Sequence, residues 1–211
     1  MTVPTPLAGV QSLTVQTHRL AVHGLLVGDE GVPVVCLHGH LATSTYFEEL
    51  MLGLPEGLRG VAIDLRGHGG TEPWPIDARA GCDDLVADVH AFVRAQGIGP
   101  HHLLAHGVGA AIMWRYLLHY SQDVLSVTAV NPAPPCGYGG SRDESGARIA
   151  KDGVPAGAGA VDLEFVRRLA EEDRTESSSS SPAVRLARHL GRAVPRQGAL
   201  LDAMLGIIVD D

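Results

Sequence analysis

The sequence predicts an α/β protein with a mostly parallel sheet that carries helices on both faces. Short apolar runs, typical of buried parallel strands, lie at residues 34–37, 60–64, 101–105 and 124–130. Helical patterns at 83–96 and 110–118 separate the later runs. This alternation of strands and helices favours parallel pairing with right-handed crossovers.

The composition indicates one globular domain and argues against two classes of partner. The 211 residues, with 45% apolar and 19% charged side chains, are enough for one sizeable core. A net charge of −8 argues against nucleic acid or an anionic membrane as a partner. The N-terminus lacks a signal-peptide pattern, and no apolar run approaches the ~18 residues that span a bilayer. Cys36, Cys82 and Cys136 are an odd number without metal-ligand spacing, so we expect a cytoplasmic protein.

Two local patterns precede and follow the first parallel strand. Residues 13–27 contain β-branched residues in partial alternation, which predicts an antiparallel hairpin, and we assign no chemistry to it. Further on, Thr45 and Glu48 have the spacing of a capping box. This spacing predicts a helix that begins at Tyr46.

The stretch from 101 to 120 has the pattern of a strand, a glycine-rich corner and a helix. A nucleophile elbow, G-x-S-x-G, places its serine on a strained turn of this kind. The five positions here are Ala105, His106, Gly107, Val108 and Gly109. Gly107 therefore stands where the hydroxyl belongs, and glycine adopts such a turn with the least strain.

Two upstream segments complete the pattern. The dipeptide His38-Gly39 ends the strand at 34–37, and the segment GVAIDLRGHGGTEP at 60–73 matches D-x-R-G-x-G-x-S/T after an apolar strand. Together with the corner at Gly107, these segments make the chain resemble the α/β-hydrolase superfamily, in its esterase, lipase and haloperoxidase-like branch. The resemblance implies nucleophilic hydrolysis of a small, fairly apolar ester-like substrate as the ancestral reaction.

The resemblance also implies roles for particular residues. Backbone N–H groups of His40 and Val108 would form the oxyanion hole. Asp64 and Arg66 would form an ion pair that fixes their loop, instead of acting in catalysis. The remaining residues expected in the pocket and its loops are His38, Gly39, His106 and Gly109.

The other triad members are not found at their expected places. In the resembled family the acid and the histidine follow the nucleophile, on loops after strands beyond the cap, and nothing beyond 160 has a strand pattern. Some relatives carry the acid after the sixth strand, where this chain has Asn131. A hydroxyl needs an adjacent base to act as a nucleophile, so we expect an inactive or severely impaired member.

The resemblance divides the chain into two parts. Residues 1–132 are expected to form the hydrolase-like core, and residues 133–211 a partial helical cap, with the family's C-terminal strands lacking. Such a truncation would leave strand 124–130 at an edge of the sheet. Because this strand is apolar and uncharged, we expect self-association through it.

Three rival interpretations of these residues are disfavoured. A dinucleotide-binding G-x-G-x-x-G would need glycine where Ile112 stands, and no acid ends the following strand. No base is placed by sequence beside Cys136, which argues against a displaced nucleophile. A metal site is permitted by four histidines near the ends of neighbouring strands, although the resembled family commonly has histidine at three of these positions without metal. They are His38, His40, His68 and His106.

We therefore expect a protein without cofactor or metal that binds a small-molecule substrate or ligand. Two other functions stay open. One is a non-enzymatic binding module that keeps the pocket between sheet and cap. The other is a working hydrolase, or a fragment of one, whose missing groups come from elsewhere.

Overall fold

The computed structural model describes residues 5–132, which contain one six-stranded sheet. Its strands are β1 (Gln11–Gln16), β2 (Ala21–Val27), β3 (Val32–Leu37), β4 (Leu58–Ile63), β5 (His101–His106) and β6 (Val124–Val130). Their order across the sheet is β1-β2-β4-β3-β5-β6. The pairs β1–β2 and β2–β4 are antiparallel, and β4–β3, β3–β5 and β5–β6 are parallel. The predicted hairpin and the four predicted buried strands are confirmed.

Three helices connect these strands: α1 (Glu48–Leu52), α2 (Cys82–Ala95) and α3 (Val108–Tyr120). A 3-10 turn at Ser44–Phe47 precedes α1, and another at Ser121–Asp123 follows α3. Helices α2 and α3 bury their apolar residues in one large cluster, whereas Met51 of α1 lies in a second cluster.

The central strand β3 shows that the sheet is covered on both faces. Val35 and Leu37 belong to the cluster beneath α2 and α3, and Val34 and Cys36 belong to the cluster that contains Met51 of α1. Successive side chains of a strand point to opposite faces, so both sides of β3 are buried. This confirms the predicted α/β class with helices on both faces.

The start of the helix after β3 differs from the prediction. Thr45 lies inside the 3-10 turn, and α1 begins only at Glu48. The Thr45 hydroxyl lies 2.7 Å from the Thr43 hydroxyl, and neither helix start receives a side-chain cap. The capping-box prediction is therefore wrong, because Thr45 already belongs to the first turn.

The predicted cap at 133–211 lies outside the described residues, as does Cys136. Within residues 5–132, none of the helices has the length and apolar character that a bilayer crossing requires.

Candidate active site

Three loops meet at one end of the sheet, beyond the carboxyl ends of β3, β4 and β5. They carry His38 to His40, Asp64 to Thr71, and His106 to Gly109. Because these three strands are parallel neighbours, their carboxyl ends lie together, which is where open α/β sheets bind ligands. The segments that the sequence singled out are thus brought to one place.

Gly107 forms the corner between β5 and α3. Its backbone has φ 54° and ψ −123°, and its N–H donates to the Val130 carbonyl over 3.1 Å. Leaving aside its chain neighbours, the atom nearest to a Cβ built on Gly107 is the Gly39 Cα at 3.4 Å. The corner therefore has the positive φ expected of an elbow, which glycine adopts without strain, and it has room for a Cβ that glycine lacks.

Two other glycines allow the close approach of these loops. A Cβ on Gly109 would lie 2.4 Å from the Leu37 carbonyl oxygen, so α3 begins directly against the end of β3. A Cβ on Gly39 would lie 2.6 Å from the His106 Nδ1 atom. The small residues at these positions set the distance between the elbow and the loop after β3.

The two backbone donors expected for an oxyanion are present at this edge. Val108 is the first residue of α3, where a helix leaves its N–H groups without intrahelical partners. Within residues 5–132, neither the Val108 N–H nor the His40 N–H donates a hydrogen bond in the contacts we observe. Their role in an oxyanion hole stays a prediction.

His38 holds the loop after β3 against the loop after β4. The Leu65 N–H donates to its Nε2 over 3.0 Å, so Nδ1 carries the proton and donates to the Gly39 carbonyl over 2.7 Å. Burial lowers the pKa of this fully buried imidazole, although the bond to Gly39 opposes the effect. Both nitrogens of His38 are therefore committed to backbone groups, and it is not placed to act as a base.

Asp64 does not pair with Arg66, which corrects the sequence prediction. Its carboxylate accepts hydrogen bonds from the Ser44 N–H at 2.6 Å, the Gly70 N–H at 2.9 Å and the His23 Nδ1 at 2.6 Å. Burial alone would raise the pKa of Asp64, but the N–H groups of Ser44 and Gly70 hold the pKa below its ordinary value. Asp64 still fixes its loop, as predicted, with different partners.

Arg66 instead pairs with two carboxylates of α2. It forms two hydrogen bonds with Asp88, at 2.7 and 2.8 Å, and one with Asp84, at 2.7 Å. Arg19, from the turn between β1 and β2, pairs with the same two acids. The network ties the hairpin, the loop after β4 and helix α2 together, so Arg66 has a structural role.

Aromatic and imidazole rings line the mouth of the site. Tyr46 stacks on His106, with ring centroids 4.8 Å apart, and the His68 ring lies 5.0 Å from His38 and 6.2 Å from His40. The His106 Nδ1 is buried and has no hydrogen-bond partner among residues 5–132. In the part of the chain that the structure describes, no three potential ligand residues are grouped to hold a metal ion.

Sequence reasoning missed Tyr46 and His23 at this edge. Tyr46 was assigned only to a helix start, and its stacking on His106 has no sequence signal. His23 lies in the hairpin to which no chemistry was assigned, and only the pairing of β2 with β4 brings it to Asp64.

Comparisons with known proteins identify the family and the fold. The sequence profile of the family described as alpha/beta hydrolase fold matches residues 32–153. A serine hydrolase-like protein of Danio rerio is 33% identical over 101 residues, which are 48% of this chain and 31% of that protein. Epoxide hydrolase 2 of Siraitia grosvenorii is 28% identical over 110 residues, 52% of this chain and 34% of that protein.

A solved structure shows the same fold. An epoxide hydrolase from Vigna radiata superposes with a TM-score of 0.54 at 29% identity, covering 60% of this chain and 40% of that one. In these comparisons the chain spans between about a third and two fifths of the length of the proteins it matches.

Proposed function

This chain belongs to the alpha/beta hydrolase fold family, and we propose that its elbow binds small ester-like molecules without attacking them. The observation that carries the proposal is Gly107, which has the positive-φ backbone of the nucleophile position and no side chain. Covalent catalysis of this kind needs a side-chain atom that attacks the substrate and an adjacent base that takes its proton. Glycine supplies neither, so we infer an inactive or severely impaired hydrolase.

The surroundings of Gly107 support this inference. His38, one of the histidines near the elbow, uses both ring nitrogens for backbone groups. Asn131, at the position after β6, has an amide in place of a carboxylate and lies exposed with φ 42°. Among the described residues, no ion pair joins a carboxylate to His38, His106 or His68.

The retained backbone donors favour residual binding. The N–H groups of His40 and Val108 would stabilise the oxygen of a bound carbonyl compound. Enzymes of this type that lose triad members keep ~10³–10⁴-fold catalysis over water from such groups and from binding. Slow turnover of an activated ester is therefore compatible with the proposal.

A second candidate function is a non-enzymatic binding module for a small apolar molecule. It is favoured by exposed apolar and aromatic side chains on the segment after β3, where Tyr46 is 54% exposed and Leu41 is 90% exposed. Leu41 also has φ 58°, a strained conformation of the kind found at ligand sites.

For either function we propose a cytoplasmic location, which the odd cysteine count supports.

Hydrolysis of p-nitrophenyl acetate by wild type, Gly107→Ser and Gly107→Ala tests the proposal. We expect slow hydrolysis by wild type and a gain of less than about tenfold in Gly107→Ser, because the new hydroxyl lacks a base. Gly107→Ala is the matched control for the added Cβ. A gain of about 10³-fold or more in Gly107→Ser alone would contradict the proposal. Titration with an unreactive ketone and with a hydrocarbon of similar size then separates the two candidates, since the N–H donors of the elbow favour the ketone, whereas a module for apolar molecules binds both.

A further inference from the structure

A second arrangement of serine, histidine and aspartate lies outside the elbow. The Ser12 hydroxyl on β1 is 2.8 Å from the His23 Nε2 on β2, and the His23 Nδ1 is 2.6 Å from the Asp64 Oδ2. Ser12 is exposed, whereas His23 and Asp64 are 2% and 1% exposed. The three groups thus form a line from the protein interior to an accessible oxygen.

The hydrogen bonds determine where the protons lie. Asp64 already accepts the N–H groups of Ser44 and Gly70, which favour its ionised form. An ionised carboxylate only accepts hydrogen bonds, so the His23 Nδ1–H must donate to it. In the neutral imidazole, Nε2 is then the unprotonated nitrogen, and it accepts the hydrogen bond of the Ser12 hydroxyl. This is the orientation in which a histidine acts as a base toward a serine.

Strand register explains why these residues meet. Thr14 lies opposite His23 in the β1–β2 pair, and Ser12 lies two residues from Thr14 on the same face of the hairpin. The diagonal position places Ser12 within reach of the ring. Asp64 follows β4 and reaches His23 from the other side of β2, where the Asp64 N–H also donates to the His23 carbonyl at 3.0 Å.

We propose that Ser12 is a reactive serine that accepts acyl or phosphonyl groups from activated esters and fluorophosphonates. In this reaction the Ser12 Oγ forms a bond to the carbonyl carbon or the phosphorus, and the bond to the leaving alkoxide or fluoride breaks. His23 Nε2 takes the serine proton and passes it to the alkoxide, or releases it with fluoride. Asp64 holds the imidazole in position and stabilises its charged form. No oxyanion hole is assigned to Ser12, so we expect one transfer per chain and no turnover.

The chain contains its own control. Ser126 on β6 is also exposed and also pairs with a histidine, because its hydroxyl lies 2.7 Å from the His102 Nδ1. Within residues 5–132, however, no carboxylate forms a hydrogen bond or ion pair with His102. The comparison of Ser12 with Ser126 therefore isolates the contribution of the buried aspartate.

The experiment treats the folded full chain with a fluorophosphonate and locates the adduct by peptide mass spectrometry. We expect modification at Ser12 in wild type and in Ser126→Ala, and no adduct on the peptide that contains position 12 in Ser12→Ala. His23→Gln is expected to slow the reaction by about 10²-fold, as for the loss of a general base. No adduct at Ser12, equal labelling of Ser12 and Ser126, or an unchanged rate in His23→Gln would overturn the proposal.

If circular dichroism shows that His23→Gln is not folded, a second pair of variants provides the test. Ser12→Cys and Ser126→Cys are alkylated with iodoacetamide across a range of pH, and each site is followed by peptide mapping. A thiol beside His23 and Asp64 is expected to react with a midpoint about one pH unit or more below that of the thiol at 126. Coincident profiles would overturn the proposal. The residues involved are separate from the elbow at 105–109, so neither result depends on the proposed function.

Discussion

Arg66 and Asp88 are joined by two parallel hydrogen bonds, from Nε to Oδ2 at 2.7 Å and from Nη2 to Oδ1 at 2.8 Å. Both side chains are buried, at 6% and 7% exposure. A two-point contact of this kind fixes the orientation of both groups, not only their separation. The pair therefore holds the loop that carries Asp64 against α2, at a distance from the elbow.

Arg66→Lys should destabilise the protein although the charge is kept. Lysine presents a single ammonium group and cannot reproduce the planar two-point contact. We expect a loss of ~2 kcal/mol of unfolding free energy, and ~3–5 kcal/mol for Arg66→Ala, which leaves the acids buried without this partner. The control Arg79→Lys, at an exposed arginine, should change stability by less than ~0.5 kcal/mol. Urea denaturation measures all three, and equal stability of Arg66→Lys and Arg79→Lys would contradict the structural role.

Alanine at Gly107 and Gly109 should destabilise the elbow for different reasons. At Gly107 the added methyl has room but the backbone has positive φ, so we expect a cost of ~1–3 kcal/mol. At Gly109 the methyl would overlap the carbonyl oxygens of Leu37 and His38, so α3 must shift and the larger loss is expected there. Gly99, where a Cβ meets nothing within 4 Å, provides the control. A lower Tm for Gly107→Ala than for Gly109→Ala would contradict the close contact between position 109 and the carbonyl oxygens of Leu37 and His38.

Stability should fall as the pH falls below about 6.5, the ordinary pKa of histidine. Burial lowers the pKa of His38 and of His101, so the unfolded chain binds more protons than the folded chain in this range. A lowered folded-state pKa gives stability that is complete above the unfolded pKa and is lost as the pH falls through the folded one. His38→Gln, whose amide can serve the same two backbone groups, should reduce this slope.

The matching measurement is urea denaturation at several pH values between about 4 and 8. His18→Gln, at an exposed histidine of the hairpin turn, is the control and should leave the slope as in wild type. A slope in His38→Gln that equals the wild-type slope would exclude His38 as its source.

Thr128→Lys should reduce self-association. Over the described residues β6 pairs only with β5, and its sequence VLSVTAV contains no charge, proline or glycine. Such strands pair between chains, and we expect a second copy to pair there. Light scattering on wild type, Thr128→Lys and the charge-matched Thr14→Lys on the opposite edge strand β1 tests this. A monodisperse wild-type monomer, or the same association in all three proteins, would refute the expectation.

The order of strands and helices was predictable from the sequence because local patterns determine it. The buried strands at 34–37 and 124–130 are continuous apolar runs, and the helix at 83–96 has one apolar face, so each prediction needed only neighbouring residues. The elbow was equally predictable from the sequence, since the positions from 105 to 109 carry its small residues in one continuous segment. The capping box failed at Thr45 because a 3-10 turn begins one residue before it, and the spacing of two side chains does not report such a turn.

By itself, the sequence determined the fold class, the place of the elbow and the lack of a nucleophile side chain at Gly107, because each depends on residues that are adjacent in the chain. Only the tertiary structure decided the partners of the charged groups. Asp64 bonds to His23 and Arg66 bonds to Asp88, over 41 and 22 residues of sequence. These pairs depend on strand order and register, which bring β2 beside β4 and α2 beside the loop after β4. A carboxylate and two candidate partners in one sequence do not indicate which partner the packed sheet places within hydrogen-bond distance.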